Sequence, residues 1–333
     1  MSKNILVTGA NGFVGRHVVR AALTKPPARV RLVYRGPDAP AGQEGVEAVR
    51  ADLTDPASLK GLCEGIDAVV HCASLVDGDG QSLRRVNDLG TRALVDAALR
   101  HGVRRIVYVS TAAVYGRGPF RDAEPADLVR APASATSRTR AAAERHVLAA
   151  GGTVLRPHLV YGTGDRWVLP GLAGLVRFLG AGVACPSVHS AVDVGMLAEV
   201  AVAAALREYG LPAVVHVNHP RPVPASALID LVMEQLGLPG GELLSLGRAE
   251  ELAEGSPAAL HHLGMLATDH WFGSDRVWRE LGCDPGPAPV DGLAAHLGWY
   301  GPLLRETAMT RSGPESRRAG APPAAPARPG ASA

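Results

Sequence analysis

Three glycines within the first fifteen residues constrain this chain more than any other feature of it. Residues 4–35 read NILVTGANGFVGRHVVRAALTKPPARVRLVYR. The apolar run Ile5, Leu6, Val7 is too short for a helix and reads as a buried strand. It leads into Gly9, Gly12 and Gly15, spaced G-x-x-G-x-x-G, and then into Phe13, Val14, Val18, Val19 and Leu23 at helical spacing. A second apolar strand, Val30, Leu32 and Val33, follows. This order suits a dinucleotide site: Gly9 allows the tight turn, Gly12 lets a phosphate approach the backbone, and Gly15 lets helix and strand pack closely. The free amides and positive dipole end of the helix then face a pyrophosphate. Glycine also serves ordinary turns, so it is the flanking strand and helix that favour the nucleotide site.

The end of the second strand bears on the cofactor. NAD sites place an acid about 20 residues beyond the glycines, whereas a nearby Arg suits the 2′-phosphate of NADP. This chain has Tyr34 and Arg35 there and no acid until Asp38. A guanidinium pairs with a phosphate in a fork and a carboxylate repels it. NADP(H) is therefore expected, with Arg16 as a second contact; NAD(H) is the alternative, in which Arg35 is only a solvated charge.

The length of 333 residues allows one large α/β domain with an added lobe, or two domains. With 34 basic and 32 acidic residues the net charge of +2 gives no reason to expect nucleic acid or an anionic membrane as partner. Cys63, Cys72, Cys185 and Cys283 are scattered, without CxxC or His-rich ligand spacing, which reads as reduced thiols and no metal. The glycine turn lies within ten residues of Met1 and no apolar run reaches the roughly 18 residues of a membrane span, so a soluble cytoplasmic protein is expected.

Further along, a Gly/Pro/Ala loop over residues 36–45 precedes a third strand at 46–49. Asp52 follows, placed either to accept from an adenine amino group or to cap a helix over residues 56–63. Residues 68–71 (AVVH) are a fourth strand, left through the small residues Cys72, Ala73 and Ser74. A helix over 87–101 and a fifth strand over 105–110 come next. Strands that are continuous apolar runs alternating with helices indicate an α/β fold, a Rossmann-like doubly wound parallel sheet covered on both faces, with ligands at the strands' carboxyl ends. Residues 116–133 read as a functional loop, 134–150 as a strong helix, and 153–155 as a sixth strand. From Trp167 apolar helical pieces (169–179, 194–206, 225–236) alternate with short strands such as 214–217. The expected division is 1–166 cofactor domain, 167–304 a mainly substrate-binding lobe with segments returning to the sheet, and 305–333 a disordered low-complexity tail.

The chain resembles the extended short-chain dehydrogenase/reductase family of sugar-nucleotide epimerases, dehydratases and 4-ketoreductases over nearly all its ordered length. The resemblance rests on residues 8–15, Asp52-Leu53, His71-Cys72-Ala73, Asn87 with Gly90-Thr91, Tyr108 to Thr111 with Val114-Tyr115-Gly116, Ala141 to Glu144, and Leu155-Arg156-Pro157 with Val160-Tyr161-Gly162. It implies a cofactor set of Gly9, Asn11, Gly12, Phe13, Val14, Gly15, Arg35, Asp52, Leu53, Cys72, Ala73, Ser74, Arg140, Pro157 and Val160, and a homodimer built on two long helices per subunit. The family's Tyr-x-x-x-Lys pair falls in register at Thr136 and Arg140. Arg140 can still hold the nicotinamide ribose, but an aliphatic hydroxyl cannot replace a phenol as proton donor without a relay.

Within that family the run at 136–144 and Gly162 to Trp167 resemble ketoreductases acting on dTDP-4-keto-6-deoxyhexoses. This implies NADPH-dependent reduction of a nucleotide-sugar substrate, with Ser110 or Thr111 on the carbonyl and Tyr115 or a Thr136-bound water as acid. Arg156, Arg166 and Arg177 are candidates for the diphosphate. The rival expectation is a redox-neutral or redox-inactive protein of the same fold.

Overall fold

The computed structural model describes residues 3–24, 28–36, 45–207 and 211–306. In it the apolar runs lie side by side. β1 (Lys3–Thr8), β2 (Ala28–Tyr34), β3 (Val46–Arg50), β4 (Ala68–His71), β5 (Arg105–Val109), β6 (Thr153–Arg156) and β7 (Val214–His216) form one sheet in the order β7-β6-β5-β4-β1-β2-β3. Every pairing is parallel, with Ile5 seated between Val30 and Ala68. Ile5, Leu6 and Val7 are all fully buried, which is why β1 lacks an alternating pattern: both of its faces are covered. The strand order turns back at β1, so a crevice opens beside the carboxyl ends of β1 and β4.

Helices α1 (Phe13–Leu23), α2 (Gly90–Arg100), α3 (Ala135–Ala149), α4 (Val168–Leu179) and α5 (Val194–Leu206) account for most of the covering layers. On one face α1 buries Val18, Ala21 and Ala22 and packs against α5, whose Leu197, Val200 and Ala201 share that core. On the other face Leu94 and Val95 of α2 and Ala143 and Val147 of α3 pack on Leu6, Val69, Ile106 and Val154. A third apolar cluster joins α4 to the helices Ala225–Gln235, Leu246–Ala253 and Pro257–Leu266 and to Tyr300 and Leu304. The later half of the chain thus builds a lobe of its own while β7, α5 and Val277 and Trp278 of helix Asp275–Leu281 return to the sheet's core.

Several expectations are corrected. The helix expected over 56–63 is a 3-10 turn, Pro56–Leu59; it stops at Lys60, which turns extended at ψ 126°, and Gly61 follows at φ +73°, outside the helical region. The helix expected over 87–101 begins as a π-turn, Arg84–Leu89, and becomes α-helical at Gly90. The loop 116–133 contains a strand, Phe120–Ala123, in a small sheet with His270–Phe272, Val188–His189 and Val223–Pro224. Helix 134–150 is α3, capped by Ser134, whose side chain accepts from the Ser137 amide at 3.0 Å. The last helix continues to Glu306, past the expected end at 304. The expected loop at 37–44, Asp38 with it, and the tail from 307 to 333 lie outside the described residues.

Gly15 is the tightest point of this framework: a Cβ built there would stand 2.0 Å from the Gly9 carbonyl oxygen. Gly15→Ala is therefore expected to lower the unfolding free energy by about 1–3 kcal/mol or more. Gly174→Ala in α4, where nothing lies within 4 Å of the added carbon, is expected to stabilise by about 0.5–1 kcal/mol. Urea midpoints of the two variants that moved in the same direction would contradict this.

Candidate active site

A cleft of about 410 Å³ opens at the β1–β4 crevice, walled by the 9–12 turn, Tyr34, Arg35, Asp52, Leu53 and the 72–75 segment. Gly9 sits at φ +69°, and a Cβ on it would meet the Ala73 amide nitrogen at 2.7 Å. The Gly12 amide donates to the Gly9 carbonyl at 2.8 Å, closing the turn so that the first amides of α1 stay free for an anion. Asp52 accepts from the Thr54 amide and hydroxyl, both at 2.8 Å. The Thr54 amide, foremost, holds the Asp52 carboxyl below its usual range. The capping alternative falls to Asp55, which accepts from the Ala57 amide at 3.0 Å. Glycine turn, anionic wall and Arg35 at the rim form a cradle that fits a dinucleotide; a larger hollow of about 490 Å³ around Asn4, Arg29 and Gly65 has no such turn.

Not every expected cofactor residue lines this cleft. Gly9, Asn11, Gly12, Arg35, Asp52, Leu53, Cys72, Ala73 and Ser74 do, while Phe13, Val14, Gly15, Arg140, Pro157 and Val160 do not. Phe13 turns toward Gly164, where a Cβ would meet its ring at 3.2 Å. Arg140 donates through Nη2 to the Val109 carbonyl at 2.8 Å, and its Nε is buried without a partner.

Two buried polar groups hold the cleft's shape. His71 bridges Thr8 (Nδ1 to Oγ1, 2.6 Å) and Thr91 (Nε2 to Oγ1, 2.8 Å), and burial, with Arg140 adding to it, lowers its pKa to about 3. Asn87, carried inward by the π-turn, donates to the Leu75 carbonyl at 2.9 Å and to Thr139 Oγ1 at 3.0 Å, and accepts from the Leu75 amide at 2.7 Å. It thereby fastens the cleft's outer wall to α3. Thr136, at the start of α3, donates to the Val76 carbonyl at 3.0 Å on the same segment.

The end of β5 departs from expectation. Ser110 is 2% exposed and donates to Glu144 Oε1 at 2.6 Å. Glu144, fully buried, accepts from Arg156 Nε at 2.9 Å and Nη2 at 2.5 Å. Arg156 also donates through Nη1 to the Tyr115 hydroxyl at 2.7 Å and stacks 4.7 Å above its ring. Tyr115, 2% exposed, passes its own proton toward His216 Nε2 at 2.8 Å. Burial keeps that His216 neutral, at a pKa of about 4, and outweighs Arg156 in raising the Tyr115 pKa. Tyr115 is therefore a packed member of a closed network and not an accessible acid. Arg156 is committed to Glu144 and is removed from the diphosphate candidates. Arg177 donates to the Leu304 carbonyl and anchors the last helix, while Arg166 is exposed.

Thr111 is different. Its Oγ1 accepts from the Ala113 amide at 3.1 Å, leaving its proton undirected, and it lines a second cleft of about 390 Å³. That cleft runs from the end of β5 into the lobe between Leu159, Val168, Leu172, Leu228 and Leu266, with His158, His189, His261 and His262 among its walls.

Residues 5–174 match the NAD dependent epimerase/dehydratase family. The chain belongs to that family. It is 28% identical over 326 residues to a 2-alkyl-3-oxoalkanoate reductase of Stenotrophomonas maltophilia, covering 87% of this chain and 97% of the relative. It is 41% identical over 133 residues to a dTDP-glucose 4,6-dehydratase of Streptomyces antibioticus, covering 34% and 38%. The fold is also that of a UDP-glucuronic acid 4-epimerase from Bacillus cereus solved with NAD, at a TM-score of 0.68 and 20% identity over 90% of this chain and 99% of that one. No helix among the described residues is long and apolar enough to cross a membrane.

For this epimerase/dehydratase-family protein, the sequence pointed to Ser110 and Tyr115 by position but not to the Glu144–Arg156 pair that immobilises them. A glutamate on the apolar side of α3 was the available signal. Glu144→Ala leaves Arg156 charged and buried without its partner, a change expected to cost about 3–5 kcal/mol and read as a lower melting temperature. The neutral histidines set a pH dependence as well. Between pH 6.5 and about 4 the unfolded chain binds a proton at His71 and at His216 that the folded chain refuses. The stability these two give is complete above pH 6.5 and falls with pH, by about 1.4 kcal/mol per unit for each histidine. Urea titrations at pH 6.5 and 5.5, above the main carboxylate range, compared between wild type and His71→Gln or His216→Gln, separate it from the same-direction contribution of His158, His189 and His270.

Proposed function

We propose that this family member reduces a ketone with NADPH, the ketone being C4 of a nucleotide-linked deoxyhexose. The supporting observation is that the glycine-turn cleft and the aliphatic cleft are walled by segments leaving neighbouring strands, β4 and β5, with Thr111 on the second. A bound nicotinamide supplies the hydride. Arg35 would pair with the 2′-phosphate, Arg140, half-buried beside the end of β5, would hold the ribose, and Thr111 would donate to the keto oxygen. Positioning of this kind accounts for a large part of such barriers. A water donating to Thr136 Oγ1 would give its other proton to the alkoxide and regain one from bulk solvent, because Ser110 and Tyr115 are committed elsewhere. The cleft's leucines and valine suit a ring stripped of hydroxyls and bearing a methyl group, and the dTDP-glucose dehydratase likeness favours a nucleotide-sugar class. The subunits pair through two long helices each, as the resemblance implies.

A second reading, reduction of a lipophilic 3-oxo acid, is favoured by the same aliphatic lining and by the 2-alkyl-3-oxoalkanoate reductase likeness over 97% of that relative. NADPH oxidation with a dTDP-4-keto-6-deoxyhexose and with a 2-alkyl-3-oxoalkanoate separates the two. Absence of turnover on both, with tight NADPH binding, would leave the redox-inactive alternative.

Two variants refine the assignment. Arg35→Ala is expected to raise the KM for NADPH by roughly 10–100-fold, the worth of a charge-assisted hydrogen bond, while sparing that for NADH. Thr111→Val is expected to lower kcat by about 10²–10³, whereas Tyr115→Phe lowers the melting temperature and leaves kcat in place. Loss of kcat in Tyr115→Phe without loss of stability would return the tyrosine to the mechanism.

A further inference from the structure

His158, His189 and His270 are far apart in the sequence and meet beneath the second cleft. His158 follows β6 by two residues, while His189 and His270 face each other across paired strands of the small sheet. One ring nitrogen from each lies within 4.8 Å of the other two. The ring centroids are 5.1, 5.8 and 5.9 Å apart and the planes are within 15° of one another. Three rings piled in a column would give one separation near twice the others, which is not what is found. A common ion bonded at about 2.0–2.1 Å to one nitrogen of each ring, with the rings 120° apart, sets centroids about 5.5 Å apart. The edges of the observed triangle are close to that, while the near-parallel ring planes must tilt and the nitrogens draw together for an ion to take a fourth ligand.

The remaining nitrogens are arranged as metal ligands require. His270 Nδ1 stands 2.8 Å from the Thr268 carbonyl, so Nδ1 carries the proton and Nε2 keeps its lone pair, met only by the Gly118 amide at 3.4 Å. His189 Nε2 stands 3.1 Å from the Leu266 carbonyl, which leaves Nδ1 as its lone-pair atom. Backbone carbonyls holding the outer nitrogen are the usual support of a ligating imidazole. His158 Nε2 is buried with no hydrogen-bond partner at all, an arrangement that costs free energy unless something fills it. Phe120 and Phe272 set their rings at steep angles to His270 and His158 on the side away from the cleft's lining. Asp269 is committed to Arg121 and the Val188 amide, so it adds negative charge nearby without competing as a ligand. Burial lowers the pKa of all three imidazoles, to about 4 for His189, so they are neutral at pH 7 and need lose no proton to bind.

We infer that His158, His189 and His270 form a three-histidine site for a divalent transition metal of the zinc class, its fourth position facing the cleft lined by Thr111. Imidazole sets of this kind suit Zn²⁺, Cu²⁺ and Ni²⁺, and three protein ligands with one open position is the usual arrangement of an accessible zinc. Two of the ligands, His158 and His189, are themselves walls of that cleft, which is what leaves one side open. The inference does not depend on which ketone is reduced.

The test is metal binding by the purified full chain after chelator treatment and dialysis. Titration with Co²⁺ is expected to give the visible d–d absorption of a four-coordinate ion saturating at one per chain. Zn²⁺ is expected to displace it and to raise the melting temperature. His189→Gln and His270→Gln are expected to weaken binding at least 10–100-fold, the range seen when only the outer partners of a ligand are altered, while His261→Gln on the cleft wall leaves it unchanged. Should either variant fail to fold, X-ray absorption of the Co²⁺-loaded wild type decides by counting imidazole neighbours: three supports the site. Saturation well below one ion per chain, an octahedral spectrum, or full binding in folded His270→Gln would overturn it.

Discussion

The buried pair of Glu144 and Arg156 ties together more of this molecule than any other contact. Glu144 comes from the helix after β5 and Arg156 from the end of β6, and around them gather Ser110 from the end of β5, Tyr115 from the turn beyond and His216 from β7. Desolvating two charges is costly, and such a pair is tolerated only where the remaining lone pairs and protons find partners. Here they do. The consequence is geometric: three neighbouring strand ends are locked at one level, and the segment carrying Thr111 leaves that level in a fixed direction.

This pair also explains why fold and site were not equally legible. The sheet was readable because each strand is a short apolar run and each glycine of the first turn answers a local steric demand, so Ile5 to Val7 and Gly9 to Gly15 each carry their own evidence. The shortfalls at 56–63 and 87–101 are local too: Lys60 and Gly61 leave helical geometry in one, and in the other the π-turn delays the α-helix to Gly90 while turning Asn87 inward. The roles of Ser110, Tyr115 and Arg156 depend instead on partners 34, 101 and 41 residues away. Position along the chain placed them at the sheet's carboxyl edge, but only the three-dimensional partners show that their hydrogen-bonding capacity is used up. The histidine cluster is the extreme case, since its members share no spacing and become neighbours only through strand pairing in the lobe.

Two clefts with opposite chemistry therefore share one sheet edge. The first is lined by backbone amides, small residues and charges, and its shape is set by what glycine permits at Gly9 and Gly12. The second is lined by aliphatic side chains and histidines from the lobe. In this family the sheet is common ground among relatives with different reactions, so under the proposed function the chemical individuality of this chain would reside in the second cleft and in the α3 positions Thr136 and Arg140.

The path of the chain between β6 and β7 has an evolutionary corollary. These adjacent strands bracket α4, whereas the other lobe helices, Ala225–Gln235, Leu246–Ala253 and Pro257–Leu266, follow β7, so the lobe is drawn from both sides of the sheet's last strand. Helix Asp275–Leu281 then returns to the sheet's core before Leu293, Tyr300 and Leu304 rejoin the lobe. Grafting another relative's lobe onto this sheet would need five crossings between sheet core and lobe matched at once. Change at this site is consequently easier by substitution inside the cleft than by exchange of whole segments.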